Sequence, residues 1–521
     1  MRHNNIILIA NGHINASTFR INKGNADNWF NEMIVDYQEE NIGDGKCEHT
    51  HSYGGGGGGW MRILTFDPSK YTITSKSVTP VAASKFKGGK QKFFCTSAYP
   101  AQADANSSTK LSSGGKRMTT NHAFIVDYDF VTPVDYKVTD GNTGFTHRNI
   151  NSISDGNQNN PAVAMSRESR NFVAVWADDA YNDDGKDTDG ANNQDIRARI
   201  FCETGCNKVS QFTVNTTTSG NQKNPDVAMD INGNSVFVWT NASDNSVYMR
   251  KFNLKGTALT KETKVNTSGK ADMAKVGIAD DGSYVVTWQN GTDIYMRGFD
   301  ASGNQTFGQT KVSKAELQTN GKRNLPVIGM AADGTYVIAW EDDVDGNGWY
   351  EIRGRGFNKN GSERLKQFVV NTVNDGQQRR PAIGMSSTGD FAIAWEDDTD
   401  KNDVYRIRMH SFKKDGTDVK KDAFVSKAGE SATRPTVCMQ KNGTAHFGWQ
   451  AKKYVTDDAT YTNVNVRSSS SDLSSEGLVS PITSGIQDQP DVACADNGRR
   501  VYLWHDDLDG NGKYEVMGKG F

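Results

Sequence analysis

The sequence predicts a mainly β fold: a seven-bladed β-propeller preceded by a smaller β-rich segment. Three observations carry this expectation. One tryptophan-anchored unit is written seven times between residue 147 and the C-terminus. Each copy holds strand-like stretches of alternating apolar and polar residues, divided by Gly-containing turns. The unit is about 50 residues long, half of what a free-standing β-sandwich domain needs and the usual size of a propeller blade.

The anchors are Trp176, Trp239, Trp288, Trp340, Trp395, Trp449 and Trp504, spaced by 63, 49, 52, 55, 54 and 55 residues. A short strand that usually opens on proline comes first in each copy: Pro161, Pro225, Pro326, Pro381, Pro435 and Pro490, with Ala274 in the third. The anchor ends a second strand, as in the stretch from Gly334 to Trp340. A third strand of the type I-x-x-R-x-F follows, as from Ile352 to Phe357, and then a weaker fourth. The last copy stops at Phe521 after its third strand, while a spare stretch, Asn149 to Ile153, precedes the first. That stretch is expected to supply the missing outer strand and to close the ring, removing an open edge. The third-strand arginines Arg199, Arg250, Arg297 and Arg355 recur at one register, so they are expected to pack structurally, pairing with carboxylates of the neighbouring copy.

Composition narrows the function classes. The chain has 521 residues with 35% hydrophobic residues, enough to bury a core, and 59 Lys and Arg against 62 Asp and Glu give a net charge of -3. That balance offers no footprint for nucleic acid. The longest aliphatic stretch, Ile6 to Ala10, is far short of a membrane span or a signal-peptide core, so neither membrane insertion nor an export signal is read from this chain.

The loop between second and third strands is the most informative one. In the fourth copy Asp343, Asp345 and Asn347 place oxygens at positions 1, 3 and 5, Gly348 supplies the turn at 6, the Trp349 carbonyl stands at 7 and Glu351 at 9. The seventh copy repeats the spacing with Asp507, Asp509, Asn511, Gly512, the Lys513 carbonyl and Glu515. Calcium takes six to eight oxygens, and this spacing wraps them around one point, so Ca2+ is the expected cofactor; the alternative is an acidic hairpin turn. The fifth copy keeps Asp398, Asp400 and Asn402 but has Asp403 for Gly and Arg406 at position 9. Calcium of modest affinity suits an extracellular setting, which points to a secreted or cell-surface protein.

Residues 1–132 do not share the repeat and read as a separate segment, with 133–146 as a linker and 147–521 as the propeller. Strand-like Ile6 to Ala10 runs into Asn11-Gly12-His13, followed by the stretch from Met33 to Gln38, a glycine run at Gly54 to Gly59, Trp60-MRILTFDP and a closing stretch from Phe124 to Phe130. In that order these motifs resemble the C-terminal part of calcineurin-like metallophosphoesterases, whose last metal motif is G-H-x-H after a strand. The resemblance implies a fragment of an α/β metallophosphoesterase fold and a hydrolase as ancestor or parent protein. It also implies His13 as a metal ligand and a divalent transition metal if the full domain exists. Asn15 stands where the second His of the motif would be, and the upstream ligand motifs are absent, so this chain alone is expected to lack catalysis. The propeller in turn resembles those of secreted bacterial surface proteins and exoenzymes.

Two function classes follow: an extracellular, calcium-stabilised binding module, or a fragment of a secreted phosphoesterase whose propeller targets it to substrate. For a ligand on the propeller, the loops before each inner strand ring the central channel and are rich in amide and basic groups. Arg323, Arg379, Arg380, Arg434 and Gln487 are the candidates, suited to carbohydrate hydroxyls or carboxylates, or to a protein partner. Six cysteines permit up to three bridges. Cys202 and Cys206 bracket a turn, and Cys438 and Cys494 stand on successive positions of the same repeat strand in neighbouring copies, so each pair is either a bridge or two free thiols.

Overall fold

Alternation of apolar and polar residues within each repeat produces four antiparallel strands in the computed structural model. The structure describes the backbone of five strands within residues 1–140, and residues 145–521 apart from 146, 154–155, 169–170, 180–192, 315–320, 429–430, 453–461, 469–475, 480–485 and 508–512. The chain divides into two compact units, Met1–Asp140 and Gly141–Phe521. In the first, Thr18–Lys23 pairs with Trp29–Ile34, and Met61–Asp67, Thr72–Val78 and Phe124–Asp127 form a three-stranded antiparallel sheet in that order.

The second unit is the propeller. The fourth repeat shows the plan: Arg323–Met330, Tyr336–Asp342, Glu351–Phe357 and Glu363–Val369 lie side by side in chain order, from the axis outwards. All seven anchor tryptophans are fully buried, each near the end of a second strand, in the core between neighbouring repeats. Three of them satisfy their indole N–H two residues on, Trp176 with Asp178, Trp340 with Asp342 and Trp504 with Asp506, at 2.9 to 3.1 Å. In these three repeats the Asp of W-x-D caps a buried donor; in the fifth, Asp397 instead accepts from Arg408 at 2.9 Å and the Trp395 indole N–H has no hydrogen-bond partner among the described residues.

Counted as hydrogen-bonded sheets, the propeller has six blades, which corrects the seven expected from the repeat count. The first five repeats each form one four-stranded sheet, but the sixth and seventh share a single eight-stranded one. In the sixth repeat the outer strand is only Glu476–Leu478 and covers Asn465 to Arg467 of its neighbour. Beyond that cover, Thr462 takes a parallel partner in Ile486 of the seventh repeat's inner strand, which joins the two repeats into one sheet. The same sheet closes the ring, because Arg148–Asn149 pairs antiparallel with Met517 and Gly518.

The α/β portion of the expected fold is corrected too. Among the described residues every regular element is a strand, and the segments that carry the phosphoesterase resemblance, Met61–Asp67 and Phe124–Asp127, belong to a small antiparallel sheet. Motif order along strands is a pattern that many β sheets satisfy, so it does not specify an α/β layer. His13 lies outside the described residues.

The recurrent arginines staple neighbouring repeats, through carbonyls rather than the expected carboxylates. Arg199 donates to Ile150 O, Arg250 to Val214 O, Arg297 to Val265 O and Arg355 to Val312 O, at 2.7 to 2.9 Å. Each guanidinium also lies 5.0 to 5.2 Å from the ring of the Phe two residues on. In the fifth repeat His410 takes the same place, 2.8 Å from Val370 O. Both cysteine pairs are bridged: Cys202 to Cys206 within a turn, and Cys438 to Cys494 between the sixth and seventh repeats, with Cα atoms 5.1 and 5.8 Å apart.

Candidate functional site

Every inner strand carries the same irregularity, a register shift just before its third or fourth pairing. At the shift one residue enters the left-handed region: Asn160, Asn224, Met273, Leu325, Arg380, Arg434 and Gln489, with φ between 48° and 52°. Proline follows in six of the seven, which fits a bulge on an axial edge strand, where no N–H is needed for the ladder. The bulge turns four residues per repeat towards the axis, and together they line a cavity of 610 Å3.

This cavity is a pit with a floor. The turns joining first and second strands meet across the axis at the end opposite the bulges. Arg167 of the first repeat pairs with Asp280 of the third at 2.9 Å and donates to Met330 O of the fourth at 2.8 Å. Ser387 of the fifth donates to Asp496 of the seventh at 2.7 Å. Bonds between non-adjacent repeats can only run across the axis. Just below the pit the inner strands draw together, which small residues permit: a Cβ on Gly384 would lie 2.9 Å from the Cys438 backbone, and one on Gly329 2.9 Å from the Met385 Cβ.

Three charged side chains stand in the pit wall, at the position after the proline or its Ala274 counterpart. Lys275 pairs with Asp226 at 3.0 Å, and Asp226 also accepts from Val276 N at 2.9 Å. Asp491 accepts from Val163 N at 2.8 Å and from the Thr436 hydroxyl at 2.9 Å. Each acceptor thus caps a bulge N–H or a hydroxyl of an adjacent repeat. Burial pushes the Asp491 carboxyl up to about 6, opposed by Lys275 and reinforced by Asp226. Opposite them the wall is apolar, made by Leu325, Val327, Ile328, Ala382 and Ile383.

The rim above the apolar wall is basic and aromatic. Glu396, fully buried, accepts Arg379 Nε at 3.0 Å, Arg380 Nη1 at 3.4 Å and the Arg434 backbone N–H at 2.7 Å. Glu341 does the same in the preceding repeat, accepting Arg380 N at 3.0 Å, and burial raises its pKa. Arg379 lies 4.2 Å from the Tyr405 ring, and Tyr350 OH accepts from Asn324 Nδ2 at 3.1 Å. On the far side His505 sits 2.7 Å from Asp488, with its ring 3.9 Å from that of Tyr514.

Of the five residues expected at the ligand face, the structure brings Arg379, Arg380 and Arg434 together at the rim. Arg323 is buried between Asp342 at 3.1 Å and Asp293 at 3.5 Å, and Gln487 is buried against Asp506 at 3.2 Å. Tyr350, Tyr405, Tyr514, Glu396, Asp491, Asp226 and Lys275 are not among the residues expected from the sequence. Aligning the copies on their prolines isolates Asp226, Lys275, Thr436 and Asp491 from Ala162, Val327 and Ala382, but only the bulge shows that this position faces the axis.

In the fourth-repeat loop, Asp343 Oδ1 accepts Gly348 N, Asp345 accepts Asn347 N and Asn347 accepts Trp349 N, at 2.7 to 3.2 Å. Trp349 is exposed, with Lys401 Nζ 4.4 Å from its ring, and Glu351 is turned to Arg353 at 3.3 Å. The fifth-repeat loop has the same turn, with Asp398 accepting Asn402 N and Asp403 N. In the seventh, Asp507 is buried, Lys513 is exposed and Glu515 accepts Asn149 Nδ2 at 2.7 Å, while Asp509 and Asn511 lie outside the described residues. Among the described residues no three His, Cys, Asp or Glu side chains converge on one point.

No protein-family model matches the chain, and no curated protein matches it. Among solved structures it is similar to a protein of unknown function from Dyadobacter fermentans, at 9% identity over 72% of this chain and 97% of that one, with a TM-score of 0.44. It is similar to the Dos1 propeller at 10% identity, 72% and 95% coverage and a TM-score of 0.41. An α-L-arabinanase of Penicillium chrysogenum follows at 13% identity, 57% and 92% coverage and a TM-score of 0.38. These values are too low to transfer an activity. The phosphoesterase and hydrolase expectations are therefore withdrawn: no family model supports them, and no metal-binding cluster stands among the described residues.

Proposed function

We propose that the chain is an extracellular binding module whose axial pit receives the end of a polar ligand, a carbohydrate chain or a polypeptide, from the rim side. The observation that carries this reading is the pit itself: 610 Å3, floored at one end and rimmed by aromatic, amide and guanidinium groups. Its volume lies within the range of about 300 to 1,000 Å3 usual for small-ligand pockets, and its lining exposes more polar than apolar surface, which suits a polar ligand. The two disulfides support an oxidising compartment. Among the described residues no helix is long and apolar enough to cross a membrane.

Calcium belongs to the same reading. It would take Asp343, Asp345, Asn347 and the Trp349 carbonyl, with Glu351 leaving Arg353, and it would tie the loop beside the rim. The binding test is Ala162→Trp, which puts an indole into the pit wall away from the arginines. Ala162 is itself packed, so the indole is expected to cost about 1 to 3 kcal/mol of stability, and circular dichroism is used to show that the variant is still folded. Screened on glycan and peptide arrays, the parent is expected to retain ligands that this variant loses. Ligands held equally by both would place binding elsewhere and sink the proposal.

A further inference from the structure

We infer that Arg380 and Arg434 form an anion subsite on the pit rim that reads a carboxylate on the ligand, of the kind an acidic sugar carries. The inference rests on the binding reading above for the route by which the ligand enters.

Both arginines occupy the left-handed slot of their repeats, with φ of 49° and 51°. Asn tolerates that conformation best among residues with a side chain, and Asn160 and Asn224 fill the slot in the first two repeats. The backbone requirement therefore gives no reason for a long cation, twice, in adjacent repeats. Strained backbone held in place by its surroundings is where function concentrates.

The surroundings are built for it. Buried Glu396 holds Arg379 by Nε, Arg380 by Nη1 and the Arg434 backbone, so one carboxylate sets the positions of three arginines. Arg379 is further fixed against Tyr405. The Arg434 side chain is exposed to the pit and its guanidinium makes no hydrogen bond or ion pair to a described residue. Burial lowers its pKa and nearby Arg380 lowers it further, while Asp488 and Glu396 act the other way from a distance. A guanidinium left with its five donors unused, beside a second one of like charge, is stabilised by any anion placed between them.

Charge balance selects the anion. The three arginines are matched in number by Glu396, Glu341 and the more distant Asp488, so the cluster carries no net excess of positive charge and its unused guanidinium donors suit a singly charged group better than a phosphate dianion. The apolar wall of Leu325, Val327 and Ile383 lies directly below and suits the hydrocarbon face of a sugar ring.

The test uses the full chain with galacturonate and galactose oligomers of equal length, measured by calorimetry. Arg380→Gln and Arg434→Gln are conservative for the backbone, because Gln489 holds the same slot in the seventh repeat. The acidic oligomer is expected to bind at least about tenfold tighter than the neutral one, less so at high salt, and each variant is expected to erase that preference. Equal binding of the two oligomers, or a preference that survives both variants, overturns the subsite. If neither oligomer binds, acetate is titrated against chloride at constant ionic strength and the arginine Nε–Hε signals are followed. Shifts of Arg434 and Arg380 with acetate alone keep the subsite and reject the sugar; identical responses to both salts reject the subsite.

Discussion

Replacing Asp491 by Asn should stabilise the protein at neutral pH and do nothing near pH 4. The carboxyl sits in the pit wall, held by Val163 N and the Thr436 hydroxyl, with Lys275 and Asp226 as the charged groups facing it. Its folded pKa of about 6 lies above the ordinary Asp value of about 3.9. A raised carboxyl binds more protons folded than unfolded between those values, so its contribution to stability falls as pH rises from about 4 to about 6 and stays low above. Two pK units correspond to about 3 kcal/mol of penalty on the ionised form. Asn keeps the acceptor for Val163 N and offers its amide to Thr436, without the charge. The difference between variant and parent should therefore grow from near zero at pH 4 to about 3 kcal/mol at pH 7.5. Chemical unfolding of both proteins across that range reads it directly. A difference that is flat with pH, or a variant less stable than the parent at pH 7.5, would refute the reasoning.

Three further outcomes follow from the packing. Gly384→Ala forces a Cβ to 2.9 Å from the Cys438 backbone, where no side-chain rotation relieves it, and should cost about 1 to 3 kcal/mol in unfolding free energy. Arg250→Ala removes the bond to Val214 O and the cover over Phe252, and should lower stability by about 1.5 to 3 kcal/mol, measured by the same unfolding. If calcium ties the Asp343 loop, excess chelator should lower the melting temperature and Asp343→Asn should abolish the response; melting unchanged by chelator removes calcium from the account.

Much of the ring was legible because strand periodicity is local. The tryptophan spacing, the inner-strand prolines and a spare strand before the first copy each follow from which residues must be buried; the strand that closes the last sheet is Arg148–Asn149, which shares only Asn149 with the expected stretch of Asn149 to Ile153. The opposite parity of Cys438 and Cys494 likewise follows from a period of two, and the pair is bridged. What the sequence could not determine depends on distances between repeats. The merger of the sixth and seventh into one sheet turns on the three residues of Glu476–Leu478 being too short to cover Thr462. Arg323 and Arg434 look alike in sequence, both basic and both near the start of an inner strand, yet one is buried between Asp342 and Asp293 and the other is open to the pit. The bulge decides this: Arg434 stands in the left-handed slot, two residues on from the position equivalent to Arg323, and points to the axis. The floor of the pit is decided further away still, since Arg167 and Asp280 are 113 residues apart and meet only because ring closure carries the first repeat across from the third.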